Sequence, residues 1–523
     1  ADLLREATGN GGWKSSNDWG RVTTGTALAL KGRVLLLWAS PLFNRANDQS
    51  RWDNAYTEME KDLPIIRACG YGLYEDGNPT NGATFAKIFT QVKSPENVFV
   101  TIRSSKDPDE NGYSNFWEEY IRPKNSGGKG NLTPSQTMID LFPMKDGKRP
   151  ATYNAYNNLP TSAHPYVNVY PFMDRDPRFY RTFAFPGFRW SYSGDATVND
   201  GNNPSYNTGK DYELWSYVWY VEENSAGNPE SGDAYAADNL LKNNKSVYLR
   251  KRSDDADLNS PLYVYEPSYN TSASAFRFSG APYIELRFAE VLLNYAEAAC
   301  MAGHTDIAMN QIKAIRQRAG YTGDCGLSGI GSDKPSCMSA ILYERQIEFA
   351  YEGKRFDDLR RWMLFDGGAE LAEGAPASWV PTGWGGNTCT WLGFKPLNGQ
   401  RREGLEYRTA DIYGIGGTTK DSDPLVVANV ERCAAVDLRK ADLDTQLQNL
   451  HDWYETHLVY KMKKGDEREE SGSGNTDLYM KFFPKYYFLG LTKGALEKDV
   501  KIQQTIGWDD TVKANGTFDP LAE

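Results

Sequence analysis

Apolar residues recur at helical spacing in three separate parts of the chain, and each part predicts a pair of helices. In the first part, the run 20–40 is apolar on nearly all sides, which predicts a buried helix that ends at Pro41. A second helix follows at about 51–68, with Pro64 inside it. Together these two segments predict a helical hairpin over residues 20–70.

The second pair of helices is predicted at 281–303 and 304–320. One face of its first helix consists of Ile284, Phe288, Leu292, Tyr295 and Ala299. The small residues Ala296 and Ala308 fit the tetratricopeptide template, in which small side chains let two helices approach closely. A third pair at 337–365, hinged at Gly353, completes a set of tetratricopeptide-like helices over 281–365.

The rest of the chain lacks this periodicity. Residues 73–280 are rich in Gly, Pro, Asn, Asp and aromatics, with short strand-like runs at 96–103 and 245–252, which predicts a loop-rich insertion region. Residues 366–523 predict an irregular C-terminal region with a strand-like run at 478–491. The predicted fold is therefore mostly α. It is a single domain over 1–523, built as a tetratricopeptide-like scaffold of helical pairs (an α/α superhelix) with long irregular loop-rich insertions and small β elements.

Composition narrows the function. The 523 residues carry a formal net charge of −11, which argues against a nucleic-acid binder, because such proteins need a basic surface. It also disfavours a strongly anionic polysaccharide as ligand unless a local basic patch exists. Aromatic residues make up 13% of the chain, more than a core alone demands, and such an excess is common where flat rings are displayed to ligands. No apolar run is long enough to span a bilayer as a helix.

The stretch ERQIEFAYEGKRFDDLRRW, from Glu344 to Trp362, is dense in charge, yet it begins on a helix with an apolar stripe. Arg345 falls on the same face as the apolar residues Met338, Ile341, Leu342 and Phe349. A buried arginine is costly unless it is paired. Its candidate partners are Glu348, Glu352, and Asp357 or Asp358. We expect a structural ion network that fixes the angle between helices, with donors added by Arg355, Arg360 and Arg361. A catalytic role would need a carboxylate pair in a cleft, and nothing in the stretch singles one out.

Six cysteines and four histidines are present, and no CxxC pair occurs, so a structural zinc site is not expected. Cys325 and Cys337 bracket a loop rich in Gly, Ser and Pro. In an oxidising compartment, this spacing makes them the first choice for a disulfide, although two free thiols are an equal alternative. Cys300 lies on a helical apolar face and is expected to be a plain core thiol.

One segment matches the loop pattern of an EF-hand. The pattern consists of Asp107, Asp109, Asn111, Gly112 and Glu118. Calcium needs several converging oxygen ligands, and the glycine permits the sharp turn between them. A structural Ca²⁺ is therefore one interpretation, and a polar hairpin turn is the other, because Pro108 lies inside the loop and a strand precedes it. No cofactor is required.

Four tryptophans and one arginine are the candidate ligand-binding residues. Sugars bind to aromatic faces, with Asn, Asp or Arg bonding their hydroxyl groups. Trp379 and Trp384 rank first because their Gly/Pro-rich surroundings suggest exposure, and Trp190 and Trp219 follow. Arg401 lies shortly after the first two. For each ring, a place in the core is the alternative.

Segments along almost the whole chain share the pattern of one known family. They are GRVTTGTALALKGRVLLLWASPLFN (20–44), SPENVFV (94–100), PSQTMIDLFPMKDGK (134–148), RDPRFYRTF (175–183), YIELRFAEVLLNYAEAA (283–299), IKAIRQRAG (312–320), ERQIEFAYEGKRFDDLRRW (344–362) and YYFLGLTKGALEKDVKIQQTIGW (486–508). In these segments the chain resembles the SusD/RagB family of outer-membrane nutrient-binding lipoproteins. The matched pattern begins at about residue 20, so we expect that the family's lipidated cysteine and first helical repeats are missing from this chain.

The resemblance implies a protein without enzymatic activity on the outer face of the outer membrane, held there by a lipid anchor. It implies capture of oligosaccharides and their delivery to a partner, a TonB-dependent barrel transporter of the SusC type. Some members of the family capture peptides instead, which is the first alternative. A glycoside hydrolase is the second, because Gly, Trp and carboxylate content also resembles that of helical-toroid glycosidases.

Overall fold

The computed structural model describes most of the chain. The described residues are 19–91, 94–104, 114–124, 128–130, 132–151, 158–190, 212–221, 234–240, 246–253, 279–402, 404–463, 466, 478–499, 501–509 and 515–522. Within them, no helix combines the length and the hydropathy needed to cross a membrane.

Helices dominate the structure, as predicted. In chain order they are α1 (Thr24–Ala39), α2 (Gln49–Ala68), α3 (Ala83–Lys87), α4 (Trp117–Ile121), α5 (Gln136–Leu141), α6 (Pro177–Thr182), α7 (Phe288–Met301), α8 (Thr305–Arg318), α9 (Lys334–Glu348), α10 (Arg355–Arg361), α11 (Thr388–Leu392), α12 (Pro424–Val427), α13 (Leu443–His457) and α14 (Lys493–Lys498). The pairs α1/α2, α7/α8 and α9/α10 correspond to the three predicted pairs, so the prediction of a mostly α fold is confirmed.

Helix α7 is the centre of the helical scaffold. It packs against α1, α2, α8 and α9, and all of its residues are buried. Ala296 in α7 and Ala308 in α8 are both inaccessible to solvent. Their small side chains allow the close approach of the two helices that the tetratricopeptide template requires.

Short strands connect distant parts of the chain. They are β1 (Asn97–Thr101), β2 (Phe183–Ala184), β3 (Phe188–Arg189), β4 (Glu213–Leu214), β5 (Val218–Tyr220), β6 (Ala234–Ala236), β7 (Tyr248–Leu249), β8 (Tyr283–Arg287), β9 (Leu405–Thr409) and β10 (Leu458–Met462). They pair as β1–β8, β2–β7, β3–β4 and a sheet in the order β10-β9-β5-β6.

Two predicted elements differ from the structure. Residues 283–287, predicted as the start of a helix, form β8, because β1 offers them an antiparallel partner. The run 478–491 contains no extended strand. It makes a single bridge between Tyr479 and Arg401, and then a short 3-10 helix at Pro484–Tyr487. Proline favours that turn, since its φ is already helical.

Helix α1 is buried on one side only, so the prediction of burial all round is wrong. Leu30, Val34, Leu37 and Trp38 form an exposed apolar stripe on it, with 39–58% of each side chain accessible. The opposite side, including Ala29 and Leu36, packs in the core. The stripe has helical spacing, because i, i+4, i+7 and i+8 share a face.

The six cysteines are free thiols, so the disulfide Cys325–Cys337 is absent and that interpretation is wrong. Helix α9 begins at Lys334, which moves Cys337 out of the loop and into the first helical turn. There it neighbours Cys300 of α7 instead. Burial, reinforced by the Cys337 thiol, raises the pKa of Cys300 well above its usual range, which confirms Cys300 as a core thiol.

Candidate functional site

Ten buried ionic side chains form one connected group, which we call the large cluster. Its acids are Glu96, Asp176, Glu344, Glu348 and Glu352, and its bases are Arg178, Lys251, Arg287, Arg316 and Arg318. The formal charges of the two sets cancel. The cluster joins α6, α8, α9, β8 and the segments before β1 and after β7, so it fixes the relative positions of elements that are distant in sequence.

Glu348 is the hub of the large cluster. Its carboxylate lies 2.8 Å from Arg178 Nη1 and 2.6 Å from Arg287 Nη1, and it also accepts a hydrogen bond from Arg318. Burial alone would raise the pKa of Glu348, but the three guanidinium groups outweigh burial and hold that pKa well below its usual range. The carboxylate therefore stays charged and is fully engaged in structural contacts.

Lys251 closes one side of the large cluster. Its Nζ donates to Glu352 Oε1 at 2.6 Å and to the Glu348 carbonyl oxygen at 2.7 Å. Burial lowers the pKa of Lys251 to about 8, although Glu352 and Glu348 act in the opposite direction. The ammonium group also lies over the Phe85 ring, 4.9 Å from its centroid. A buried lysine is thus held by a carboxylate, a carbonyl and an aromatic face.

Arg345 belongs to a second, small cluster with Asp358, Arg361 and Glu297. Its Nε lies 3.1 and 3.0 Å from the two Asp358 oxygens, and its Nη1 donates to Asn294 Oδ1 at 2.8 Å. Arg361 Nε donates to Asp358 Oδ1 at 3.0 Å, and Arg361 Nη2 donates to Glu297 Oε2 at 2.7 Å, so Arg361 links the two carboxylates. The expected structural ion network is thus present, with Asp358 as the partner across the helical corner and Arg361 as an added donor, whereas Arg360 Nη2 donates to the Tyr487 carbonyl oxygen instead. Glu348 and Glu352 point into the large cluster instead.

Acidification from about pH 6 to pH 2 is expected to lower the free energy of unfolding, with about 2 kcal/mol of the loss due to Asp358. Burial raises the pKa of Asp358, but Arg345 and Arg361 prevail and bring it from 3.8 to about 2. Because the unfolded chain takes up this proton at higher pH than the folded chain, the stabilisation is present above about pH 4 and is lost as the pH falls through 2. Urea denaturation at several pH values measures how the free energy of unfolding depends on pH.

The Asp358→Asn variant is the control for this titration, since it removes the group that binds the proton. Its stability should be lower near neutral pH and should fall less steeply on acidification. An unchanged slope in the variant would show that Asp358 does not contribute to the acid sensitivity.

An open cavity of about 170 Å³ lies between α5, α9, α10 and the segments around 394–402 and 480. Its floor is apolar, with the buried residues Leu141, Leu359 and Leu364. The half-buried ring of Phe394 forms part of its wall, beside the Met480 side chain. Ligand sites are typically concave and mostly apolar, with a few polar groups that orient the ligand, so this cavity is the candidate ligand site.

Polar and cationic side chains line the same cavity. Ser135, Thr137 and Gln346 supply neutral hydrogen-bonding groups, and Arg355, Lys395 and Arg402 supply positive charge. The Gln346 Nε2 also contacts Met138 Sδ at 3.8 Å. The cavity thus combines an aromatic wall with donors suited to hydroxyl or acidic groups.

Exposed rings occur on the segments that line the cavity. Phe356 follows Arg355 in α10, and Tyr479 precedes Met480, with 48% and 44% of their side chains exposed. Sequence reasoning missed these residues and Phe394. The signal for them was weak: Phe356 stands in the charged stretch, and Tyr479 in a run that appeared to be a strand.

The four predicted tryptophans are buried, so the expectation that Trp379 and Trp384 are exposed is wrong. Their side chains are 3% and 0% accessible, and those of Trp190 and Trp219 are 0% and 2% accessible. Each indole N–H donates to a protein acceptor: Asp519 Oδ1, the Asn44 carbonyl, Ser253 Oγ and the Gly417 carbonyl, respectively. Burial of these four tryptophans is favourable because their apolar area is large and each of their indole N–H groups has a hydrogen-bond acceptor.

Arg401, the fifth predicted ligand-binding residue, is half-buried and faces the protein. Its Nη2 donates to the Asp466 carbonyl oxygen at 2.8 Å and contacts Met462 Sδ at 3.2 Å. The next residue, Arg402, lines the cavity instead. Adjacent residues of an extended segment point to opposite sides, so the sequence identified the segment but not the residue.

The calcium prediction is only partly placed. Asp107, Asp109 and Asn111 lie outside the described residues. Glu118 is buried in α4, where its carboxylate bonds Arg122 and accepts from Ser253 Oγ at 2.7 Å. A glutamate held in this way is accounted for by its protein partners. Whether the preceding loop binds Ca²⁺ stays a prediction.

One group of possible metal ligands occurs on α13, among the residues that the structure describes. His451 Nδ1 lies 3.4 Å from Asp452, and its Nε2 lies 3.5 Å from Glu455. The two carboxylates thus face different ring nitrogens of His451: Asp452 faces Nδ1 and Glu455 faces Nε2. Both carboxylates are exposed, and the arrangement is explained by ion contacts along a helix surface.

Comparison with known proteins gives a consistent result. The SusD family profile matches residues 95–508. The SusD-like protein P2 of Formosa agariphila is 28% identical over 188 residues, which are 33% of this chain and 34% of that protein. The matched region thus spans about a third of that relative's length.

Two solved structures from Bacteroides fragilis are also similar. One, described as a SusD-like protein, is 25% identical, with 68% of this chain and 57% of that chain covered and a TM-score of 0.45. The other, described as a SusD-like carbohydrate-binding protein, is 19% identical, with 67% and 54% covered and a TM-score of 0.39.

Proposed function

We propose a function from one premise: this chain belongs to the SusD family, whose profile matches it from residue 95 to residue 508. The protein captures oligosaccharides at the outer face of the outer membrane, to which a lipid anchors it. It holds the ligand without cleaving it and delivers it to a TonB-dependent barrel transporter of the SusC type. This role agrees with the resemblance that runs through the helical pairs and the charged stretch 344–362.

The observation that carries the proposal is the open cavity with Phe394 in its wall. A pyranose ring has apolar C–H faces and polar edges, so it suits a site that offers an aromatic face beside hydrogen-bonding groups. Gln346, Thr137 and Ser135 provide such groups at the cavity lining. Exposed rings on the adjoining segments, Phe356 and Tyr479, offer further faces to a longer chain of sugars.

The state of the carboxylates in the large cluster supports a structural role for them and not a hydrolytic one. A glycosidase needs a carboxylic acid and a carboxylate that face each other across the scissile bond. The acids of the large cluster are held by basic side chains, and the Arg guanidinium groups keep Glu348 charged. An acid in that condition cannot donate a proton to a leaving group.

Replacement of Thr137 by Trp is expected to fill the cavity and to weaken glycan binding at least about tenfold, or ~1.4 kcal/mol. Thr137 is half-buried at the cavity lining, so a larger side chain there can extend into the open space. Removal of the ring in Phe394→Ala is expected to act in the same direction. Isothermal titration against a panel of neutral and acidic oligosaccharides, with mixed peptides as a further arm, measures the effect.

Trp38→Ala is the matched control, because Trp38 is also an exposed ring but lies on α1, away from the cavity lining. It should bind glycans as the unmodified protein does. Chromatography of the mixtures tests for cleavage. Cleavage of a glycan would contradict the proposal and favour a glycoside hydrolase. Binding of peptides alone would favour the peptide-capturing alternative.

A further inference from the structure

The charge of the cavity is opposite to that of the protein. Among the residues that the structure describes, three that line the cavity, Arg355, Lys395 and Arg402, are basic, and none that lines it is acidic. The chain as a whole carries a formal charge of −11. Lys395 and Arg402 are both exposed to solvent. This is the local basic patch that an acidic chain would need in order to bind an anionic ligand.

The size of the cavity sets a limit on the bound group. A protein cavity of roughly 150 Å³ accepts benzene, so about 170 Å³ has room for one six-membered ring. The floor is apolar, and charges are confined to the lining residues named above. A sugar ring suits this lining, because its apolar faces can contact Leu141 and Leu359 while its polar edge meets the cations.

We infer that the cavity binds a sugar ring that carries an anionic group, either a carboxylate or a sulfate. The inference rests on the proposed function of this site and narrows its substrate class to acidic oligosaccharides. Guanidinium groups bond both anions with two parallel N–H donors, and the ammonium of Lys395 adds a point charge. Both anions share this chemistry, and the experiment separates them.

Electrostatics also accounts for how such a ligand would be selected. An anionic ligand is repelled by the net negative charge of the protein and attracted by the cations that line the cavity, which orients its approach. Neutral sugars would retain the contacts with the Phe394 ring and Gln346 but lose the contacts with the cations. The difference in affinity between the acidic and the neutral ligand is therefore expected to depend strongly on the salt concentration.

The test compares each acidic oligosaccharide with its neutral counterpart by isothermal titration. One arm uses a uronic-acid oligosaccharide and its carboxyl-reduced form, and the other uses a sulfated oligosaccharide and its desulfated form. At low ionic strength the acidic member of at least one pair is expected to bind about tenfold or more tightly. The preference should shrink at about 0.5 M salt.

The double variant Lys395→Gln with Arg402→Gln is expected to lose the preference for the acidic member while it still binds the neutral one. Lys493→Gln with Lys498→Gln removes the same charge from α14, outside the cavity lining, and should leave the preference unchanged. Equal binding of acidic and neutral members by the unmodified protein would overturn the inference and leave glycan capture standing. An absence of binding to every oligosaccharide would overturn both.

Discussion

Replacement of Glu348 by Gln is expected to lower the free energy of unfolding by about 3–5 kcal/mol. The substitution keeps the shape of the side chain but removes the negative charge that three arginines share. Arg178, Arg287 and Arg318 would keep their other carboxylate partners, but the buried cluster would then carry one positive charge in excess, and an uncompensated buried charge is costly. Urea denaturation followed by tryptophan fluorescence measures the shift of the midpoint.

Glu497→Gln is the matched control for this substitution. Glu497 pairs with Lys493 along α14 at 3.6 Å, and both side chains are more than half exposed. The loss there should be less than about 1 kcal/mol, because exposed ion pairs contribute little. A second variant, Arg318→Met combined with Glu348→Gln, restores charge balance and should recover part of the loss. Equal effects of Glu348→Gln and Glu497→Gln would contradict the structural role of the large cluster.

Replacement of Trp384 by Ala is expected to destabilise the protein by about 3–5 kcal/mol and to leave glycan affinity unchanged. The Trp384 ring is inaccessible to solvent and packs edge to face on Trp362 and Trp391, with ring centroids 5.4 and 5.3 Å away. Its removal would leave a large cavity and would deprive the Asn44 carbonyl of the indole donor. Denaturation measures the first effect, and isothermal titration measures the second.

A loss of stability caused by Trp384→Ala can be distinguished from a loss of ligand affinity. Trp38→Ala removes an exposed ring and should change stability only slightly, because surface positions away from special contacts tolerate substitution. If Trp384→Ala remained as stable as the unmodified protein but lost affinity for glycans, Trp384 would return to the ligand site. That result would contradict its position in the core.

The helical pairs were predictable because their signal is local. The spacing of apolar residues determines which side of a helix is buried, and small residues such as Ala296 and Ala308 mark close approach. The same spacing showed that Arg345 needs a partner, and Asp358, on the next helix, was close enough in sequence to be named as a candidate. Such inferences depend on neighbours within a few helical turns.

Other features depend on residues that lie far away in sequence. The segment 283–287 has helical periodicity but becomes β8, since β1 lies beside it and offers unpaired backbone groups. Trp384 stands among glycines, which are typical of exposed loops, but the packing of Trp362 against it places it in the core. Composition near a residue does not report what packs on it from elsewhere.

The candidate ligand cavity was not predictable for the same reason. Its lining comes from α5, α9, α10 and two segments of the C-terminal region, so no single stretch of sequence contains its pattern. Arg401 was predicted and Arg402 lines the cavity, which shows how a correct segment still leaves the direction of each side chain open. The three-dimensional arrangement decides that direction.

The large cluster also has a consequence for the order of events during folding. Glu96 bonds Arg287 and Arg318, which lie 191 and 222 residues further along the chain. A chain that emerges from its N-terminus therefore holds Glu96 without these two counter-ions until 191 and 222 further residues, respectively, have followed. Contacts of such long range close slowly, because the entropy of a large loop is lost before they form. We expect closure of the cluster to be a late, rate-limiting step, and a chain interrupted before Arg318 to remain incompletely folded.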